Sequence, residues 1–254
     1  MKLETLLLRD RVIRVVGFDD APFKRRKGGS ASIVDVVCAG TRFEATLRVS
    51  FPVNNKQQLF DRWAPHYDLL FTSVFYQAIH KRLLEYVELP AQVNVLDLGC
   101  GTGRLLDRLA TPDPNLRGTG LDLSVEMLRQ ARRQNRHRPR LIYVQGNALE
   151  LPFADGQFDA VFNTCSFLHY PEPERVFSEV SRVLRPGGYF YLVDPIYMGQ
   201  TGTQWLPVSP GGIRFYSPQA REQLGMQVGL SCLGHQYLLS PILLTKFLKP
   251  PRAS

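Results

Sequence analysis

A chain of 254 residues has room for one full α/β domain and an appendage, but not for two large domains. Hydrophobic residues make up 44% and charged residues 21%, a globular composition that excludes a disordered or fibrous protein, and no apolar run approaches the ~18 residues of a membrane span. The formal net charge of +8 raises nucleic acid or an anionic surface as partners, but the excess sits in KRRK at 24–27 and RQARRQNRHRPR at 129–140. Without interleaved aromatics to stack bases, these runs read as a solvated helix face followed by a loop, which disfavours nucleic acid and leaves peripheral membrane contact open.

In chain order, MKLETLLLRD has too short an apolar core for an export signal. Residues 1–51 read as a small β appendage, with strands expected in DRVIRVVGF, SIVDVVCAG and the strictly alternating TRFEATLRVSF. Residues 52–92 are largely helical, with a break near Pro65, and form a lid or flank. From Val93 onward short apolar strands alternate with amphipathic helices, the signature of βαβ units on a parallel sheet, so 93–254 forms the main domain. The expected strands are VNVLDL, LRGTGLDL, LIYVQGN, FDAVFNT, GYFYLVD, MQVGLSCLGH and QYLLSPILLTKF. Ser124 is expected to cap one helix and Ser217, followed by Pro218, another, while Pro186-Gly187-Gly188 ends a third. Cys38, Cys100, Cys165 and Cys232 lie far apart with no C-x-x-C pair, so neither a disulfide framework nor a metal site is expected, and a reduced, cytoplasmic setting is.

The informative stretch is VNVLDLGCGTGRLL, where a strand runs into Asp97 and glycines follow at 99, 101 and 103. A P-loop would need a lysine that is absent, and a dinucleotide fingerprint would need a third glycine where Arg104 or Leu106 stands. A carboxylate two residues before the first glycine suits an ammonium group and repels a pyrophosphate. Asp122, at the end of the next strand, can accept from both hydroxyls of a ribose or can cap the following helix. Ammonium, ribose and no phosphate together describe S-adenosylmethionine.

On VLDLGCGTG, GLDLSVEML, GNALELPFADGQFDAVF and VSRVLRPGGYFYLVDP, in that order, the chain resembles the class I S-adenosylmethionine-dependent methyltransferases, and FDRWAPHYD, with Phe60, Trp63 and Tyr67, is similar to the segment before the first motif in small-molecule and quinone C-methyltransferases. The resemblance implies a Rossmann-like seven-stranded α/β sheet whose last strand is antiparallel. It implies that Asp97, Gly99, Cys100, Gly101 and Gly103 hold the methionine end, Asp122 the ribose, and Leu123 the adenine face. Asn147, standing where the family carries aspartate, and the neighbouring Ala148 would meet the adenine amine, and Thr164 the methionine tail. In FDRWAPHYD, Arg62 would meet the substrate and Tyr67 would close the site. His169, in CSFLHYPEP after the fourth strand, is the candidate base, since its unperturbed pKa near 6.5 suits proton removal.

The expected partner is a small, hydrophobic or aromatic methyl acceptor, with oligomeric state undefined. Alternatives are methyl transfer to RNA or protein, or a scaffold that binds the cofactor without catalysis. Residues 13–50 are also similar to the opening strands of a family related to endonuclease V, whose RNase H-like sheet begins with a strand ending in paired acids, here Asp19 and Asp20. The remaining carboxylates of a two-metal nuclease are missing, so this segment reads as a truncated remnant without nuclease activity, or as strands joined by a polar loop.

Overall fold

The computed structural model describes residues 3–8, 11–16, 58, 61, 70–197, 199, 201–207 and 212–251. Arg62, Tyr67, Asp19, Asp20 and the two later strands expected in the appendage lie outside these residues. The chain divides into two compact units. In the first, β1 (Leu3–Leu8) and β2 (Arg11–Val16) form an antiparallel hairpin, pairing Leu3 with Val16 and Leu8 with Arg11. The second strand matches DRVIRVVGF. The first, LETLLL, lies in a stretch of the appendage for which the sequence pattern names no strand, its leucines giving no alternation to betray it.

The second unit is a seven-stranded sheet in the order β5-β4-β3-β6-β7-β11-β10. Its parallel half comprises β3 (Asn94–Leu98), β4 (Arg117–Asp122), β5 (Leu141–Gln145), β6 (Phe158–Thr164) and β7 (Leu184–Pro195). Two further strands close it: β11 (Ile242–Leu248), last in the chain, pairs antiparallel with β7 as expected, and the edge strand β10 (Ser231–Leu239) pairs antiparallel with β11 and so runs in the same direction as β3–β7. The chain runs from β3 outward to β5, then returns to lay β6 on the other side of β3. That reversal opens a crevice at the carboxyl ends of β3 and β6, where open α/β sheets bind ligands.

Helices cover both faces: α1 (Leu70–Leu84), α2 (Arg104–Ala110), α3 (Val125–Gln134), α4 (Pro173–Val183) and α5 (Pro218–Gln227). Ser124 caps α3 by accepting from Met127 N–H at 3.2 Å, and Ser217 caps α5 through Ala220 N–H at 3.2 Å, as expected. On α4, Val176, Phe177, Val180 and Val183 form a helical stripe against the sheet. Phe177 meets Phe190 and Phe247 edge-on, at centroid separations of 5.4 and 5.5 Å. Gly225 lets α5 approach the same cluster, because a Cβ there would come within 2.5 Å of the Phe247 ring.

Two features differ from the sequence expectation. A hairpin of β8 (Thr203–Leu206) and β9 (Ile213–Tyr216) is inserted between β7 and α5. The last two strands are also displaced: MQVGL closes α5 and its turn, and the chain reverses at Ser240-Pro241 rather than between His235 and Gln236.

Arg221, fully buried on α5, locks this closing half. Its Nη1 donates to Leu243 O at 2.9 Å, Nη2 to Asp194 O at 3.0 Å and Nε to Tyr216 O at 3.2 Å, so one guanidinium joins β11, β7 and β9. Arg221→Met fills similar volume but strands these carbonyls, and is expected to cost about 3 kcal/mol of stability in urea unfolding. A midpoint equal to that of the unsubstituted protein would refute this role.

Candidate functional site

At the carboxyl end of β3 the chain turns through Gly99–Gly103 before entering α2. Gly99 (φ +75°), Gly101 (φ +52°) and Gly103 (φ +79°) all adopt the left-handed conformation that side chains resist. At two of these positions the need for glycine is internal. A Cβ on Gly99 would lie 2.4 Å from Ser166 Oγ, and one on Gly103 would lie 2.4 Å from the Tyr143 hydroxyl. At both positions the space that a Cβ would fill is taken by the protein's own side chains.

The loop's amides are turned inward as well. Gly99 and Cys100 N–H both donate to Leu121 O, at 2.8 and 3.1 Å, and Gly103 N–H donates to Cys100 O at 2.9 Å. Gly101 N–H donates to Asp122 Oδ2 at 2.8 Å. A phosphate-binding loop presents such amides to its ligand; this one uses them to hold its own shape. The failed phosphate motifs in the sequence thus have a geometric counterpart.

Asp122, at the end of β4, does two jobs at once. Besides Gly101, its Oδ1 accepts Ser124 N–H at 2.8 Å, which starts α3. Of the two expectations for this residue, the cap is present, formed by Oδ1. Burial raises its pKa against the pull of the amides of Ser124, Gly101 and Leu123, and Asp61, which accepts a hydrogen bond from Ser124 Oγ, adds to the rise.

Asp97 is the unsatisfied member. It is buried at the end of a central strand, and its Oδ1 has no hydrogen-bond partner among the described residues. Burial, followed by the nearby Asp122 carboxylate, pushes its pKa up to about 8. Asp97, Gly99, Gly101 and Thr164 line one cleft, and Tyr76 and His80 of α1 face them across it. His80 is buried and lowered to about 4, chiefly by desolvation and then by Arg108, so it is neutral at pH 7. Among the remaining expected residues, Cys100 lines the cleft while its Sγ lies beneath β4, within 2.8 Å of where a Gly120 Cβ would stand. Its thiol is raised well above the usual range by burial.

The residues expected at the adenine end lie beyond Asp122. Leu123 O accepts from Gln145 Nε2 at 3.2 Å, and Ala148 is buried. Asn147 Oδ1, the oxygen expected to take the adenine amine, already accepts Leu149 N–H at 3.0 Å in a local turn. His169 stands on the short 3-10 turn Phe167–His169 after β6 and is not among the residues lining the cleft. The structure adds three residues that sequence reasoning passed over. His80 and Asp61 come from segments remote from the glycine loop, although Tyr76 and His80, four apart on a helix, already share a face. Asp194, buried at the end of β7, is raised to about 7 by burial, with Arg221 and the amides of Leu168 and Phe167 pulling the other way.

The state of Asp97 has a measurable consequence. In the unfolded chain it ionises near 3.9, whereas in the fold it keeps its proton to about 8. Between those values the folded protein holds a proton that the unfolded chain has released, so stability falls as pH rises from about 4 to about 8. Asp97→Asn is expected to flatten that decline, read as the urea midpoint across the window. Parallel pH profiles for the two proteins would contradict the assignment.

Residues 96–192 match the methyltransferase-domain family. The chain is similar to a fatty-acid O-methyltransferase of Mycolicibacterium smegmatis, 46% identical over 101 residues, covering 40% of this chain and 36% of that protein. It is also similar to the demethylmenaquinone methyltransferase of Thermus thermophilus, 34% identical over 140 residues, covering 54% of this chain and 64% of the other. The chain thus spans between a third and two thirds of these relatives' lengths. Among solved structures, the Haloferax volcanii methyltransferase solved with its Trm112 activator superposes with a TM-score of 0.64 at 22% identity, covering 75% of this chain and 97% of that one. The cyclase SpnF superposes with a TM-score of 0.67 at 19% identity, covering 79% and 98%, so at this distance the likeness speaks for fold alone. Sheet order, glycine loop and paired strand-end acids agree with the family match: residues 96–192 carry the sequence of the methyltransferase-domain family on a Rossmann-like seven-stranded sheet.

Proposed function

We propose that this protein binds S-adenosylmethionine and transfers its methyl group to a small, hydrophobic acceptor. The observation that carries the reading is the buried Asp97 carboxyl, whose Oδ1 has no partner, beside a loop whose amides are already used. An amino-acid ammonium supplies what Asp97 lacks, and a phosphate would find neither charge nor amides. Asp97, Gly99, Cys100, Gly101 and Gly103 would hold the methionine end, with Thr164 against its tail. Asp122 would take the ribose hydroxyls on its remaining lone pairs, and Leu123, Asn147 and Ala148 would frame the adenine. Bound S-adenosylmethionine supplies a sulfonium-activated methyl group, which leaves the protein to hold the acceptor in line and exclude water.

The acceptor class is supported from two sides. Relatives are named for fatty acids, for demethylmenaquinone and for botryococcene, all apolar molecules. In this chain, Tyr197 after β7 and Trp205 on the inserted hairpin are each 53% exposed, large apolar surfaces in the segment that follows β7. Proton removal from the acceptor falls to His169 on the turn after β6, with neutral His80 in the cleft wall as the alternative base. No helix among the described residues is long and apolar enough to cross a membrane, so a greasy acceptor must be brought to the cleft. A cytoplasmic setting is part of this proposal.

Asp122→Ala is expected to weaken S-adenosylmethionine binding by about 2–3 kcal/mol in titration calorimetry, since it removes the acceptors of two hydroxyls. Gly101→Val, at φ +52°, should abolish binding. Binding unchanged in both would sink the cofactor assignment. With methyl-labelled cofactor, label should pass to a long-chain acid or a prenylated quinone, and transfer only to RNA or protein would overturn the acceptor class. His169→Gln should lower kcat by about 100-fold or more without changing cofactor affinity; if His80→Gln does so instead, the base is His80.

A further inference from the structure

Away from the cleft, on the sheet's open edge, three side chains of metal-binding type converge. Glu222 lies on α5, and Cys232 and His235 lie on β10; the donor atoms they offer all lie within 4.8 Å of one another. His235 Nε2 is 2.9 Å from Glu222 Oε1 and 3.9 Å from Cys232 Sγ. His235 Nδ1 is 3.0 Å from the hydroxyl of the fully buried Thr245.

A regular strand could not bring this about. Residues three apart in a strand point to opposite faces, so Cys232 and His235 should diverge. Between Cys232 and Gly234 the pairing register shifts: Cys232 faces Phe247, Gly234 faces Lys246 and His235 faces Thr245. Leu233 is the extra residue of a bulge, and Gly234 takes a φ of +132° to accommodate it. Three steps along β10 therefore match two along β11, and Cys232 and His235 emerge on the same face, the one that α5 covers with Glu222. A search for C-x-x-C pairs overlooks the C-x-x-H of Cys232 and His235, and the bulge is what makes that spacing work on a strand.

The division of the imidazole's nitrogens decides between two chemistries. A cysteine nucleophile with a histidine base needs the thiol on one ring nitrogen and the carboxylate on the other. Here thiol and carboxylate both approach Nε2, while Nδ1 is held by Thr245. Three donors facing one point, with the ring's far nitrogen anchored by a hydroxyl, is the arrangement of a metal ligand set with its outer support. Zinc bonds of ~2.0 Å to nitrogen and oxygen and ~2.3 Å to sulfur put neighbouring donors about 3.5 Å apart in a tetrahedron. The separations from His235 Nε2, 2.9 and 3.9 Å, straddle that value, and the Glu222 and Cys232 donors lie within 4.8 Å of each other. Thiolate and imidazole together select zinc over magnesium or calcium.

We propose that Glu222, Cys232 and His235 bind one zinc ion, with a fourth position left to water, and that the ion fastens α5 to the edge strand. The test is titration of the full chain with cobalt(II) as an optical stand-in, followed by displacement with zinc. One equivalent should give a thiolate-to-cobalt charge-transfer band that zinc removes and excess magnesium does not. Cys232→Ser should abolish the band, Cys165→Ser should keep it, and His235→Ala or Thr245→Val should weaken cobalt binding tenfold or more. In the unsubstituted protein, where folding is not in question, zinc should slow alkylation of Cys232 as followed by peptide mass mapping. A band that survives Cys232→Ser, or alkylation of Cys232 indifferent to zinc, would overturn the proposal.

Discussion

The carboxylate of Asp122 governs the geometry of the cleft. One oxygen fixes the glycine loop through Gly101 N–H, and the other starts α3 through Ser124 N–H. The loop after the first strand of the sheet and the helix after the second are thus set by one side chain at the end of β4. Because the amides of Gly99, Cys100 and Gly103 close on Leu121 and Cys100, the loop's shape is fixed by the protein itself. Pre-ordering of this kind lowers the conformational entropy that a ligand would otherwise have to remove.

Against this settled frame stand two carboxyls held in electrostatic tension. Asp97 and Asp194 lie at the ends of β3 and β7, both buried and both raised, to about 8 and about 7. Burial raises both; the Asp122 carboxylate adds to the rise at Asp97, whereas Arg221 opposes it at Asp194. Groups so perturbed, gathered at the carboxyl edge of an open sheet, are where chemistry is usually found. Arg221 itself is kept buried by backbone carbonyls rather than by a direct ion pair, so it serves the fold first and the field of the site second.

Much of this was legible in the sequence because it rests on local signals. The five parallel strands are short apolar runs bounded by turn residues, the caps at Ser124 and Ser217 are short-range hydrogen bonds, and D-x-G-x-G-x-G marks the loop after β3 by spacing alone. What escaped depends on contacts between distant residues. His80 reaches the cleft only because α1 packs there, and Asp61 reaches Ser124 across 63 positions. The β8–β9 hairpin has no alternation strong enough to announce it, and in MQVGLSCLGHQYLLSPILL the apolar residues run too evenly to show where helix yields to strand. The role of Asn147 was half visible: its oxygen is an acceptor as expected, but a backbone amide two residues away holds it first. The basic run 129–140 is likewise spent largely at home, with Arg132 on Tyr143 O, Arg138 on Arg132 O and Arg140 on the carbonyls of Ala110, Asp113 and Leu116. That employment gives the positive charge a structural reason independent of any polyanion.

The extra residue at Leu233 also bears on how the sheet ends. β10 is the outermost strand, and an outermost strand with a regular row of outward amides and carbonyls invites another polypeptide to zip onto it. A stranger would need an unbroken two-residue rhythm to match, and here the rhythm is interrupted at Leu233–Gly234 and again between Tyr237 and Leu239. Such hiccups leave few consecutive docking points for a second chain, so this flank resists fibril-like growth despite the apolar surfaces of Leu233 and Tyr237.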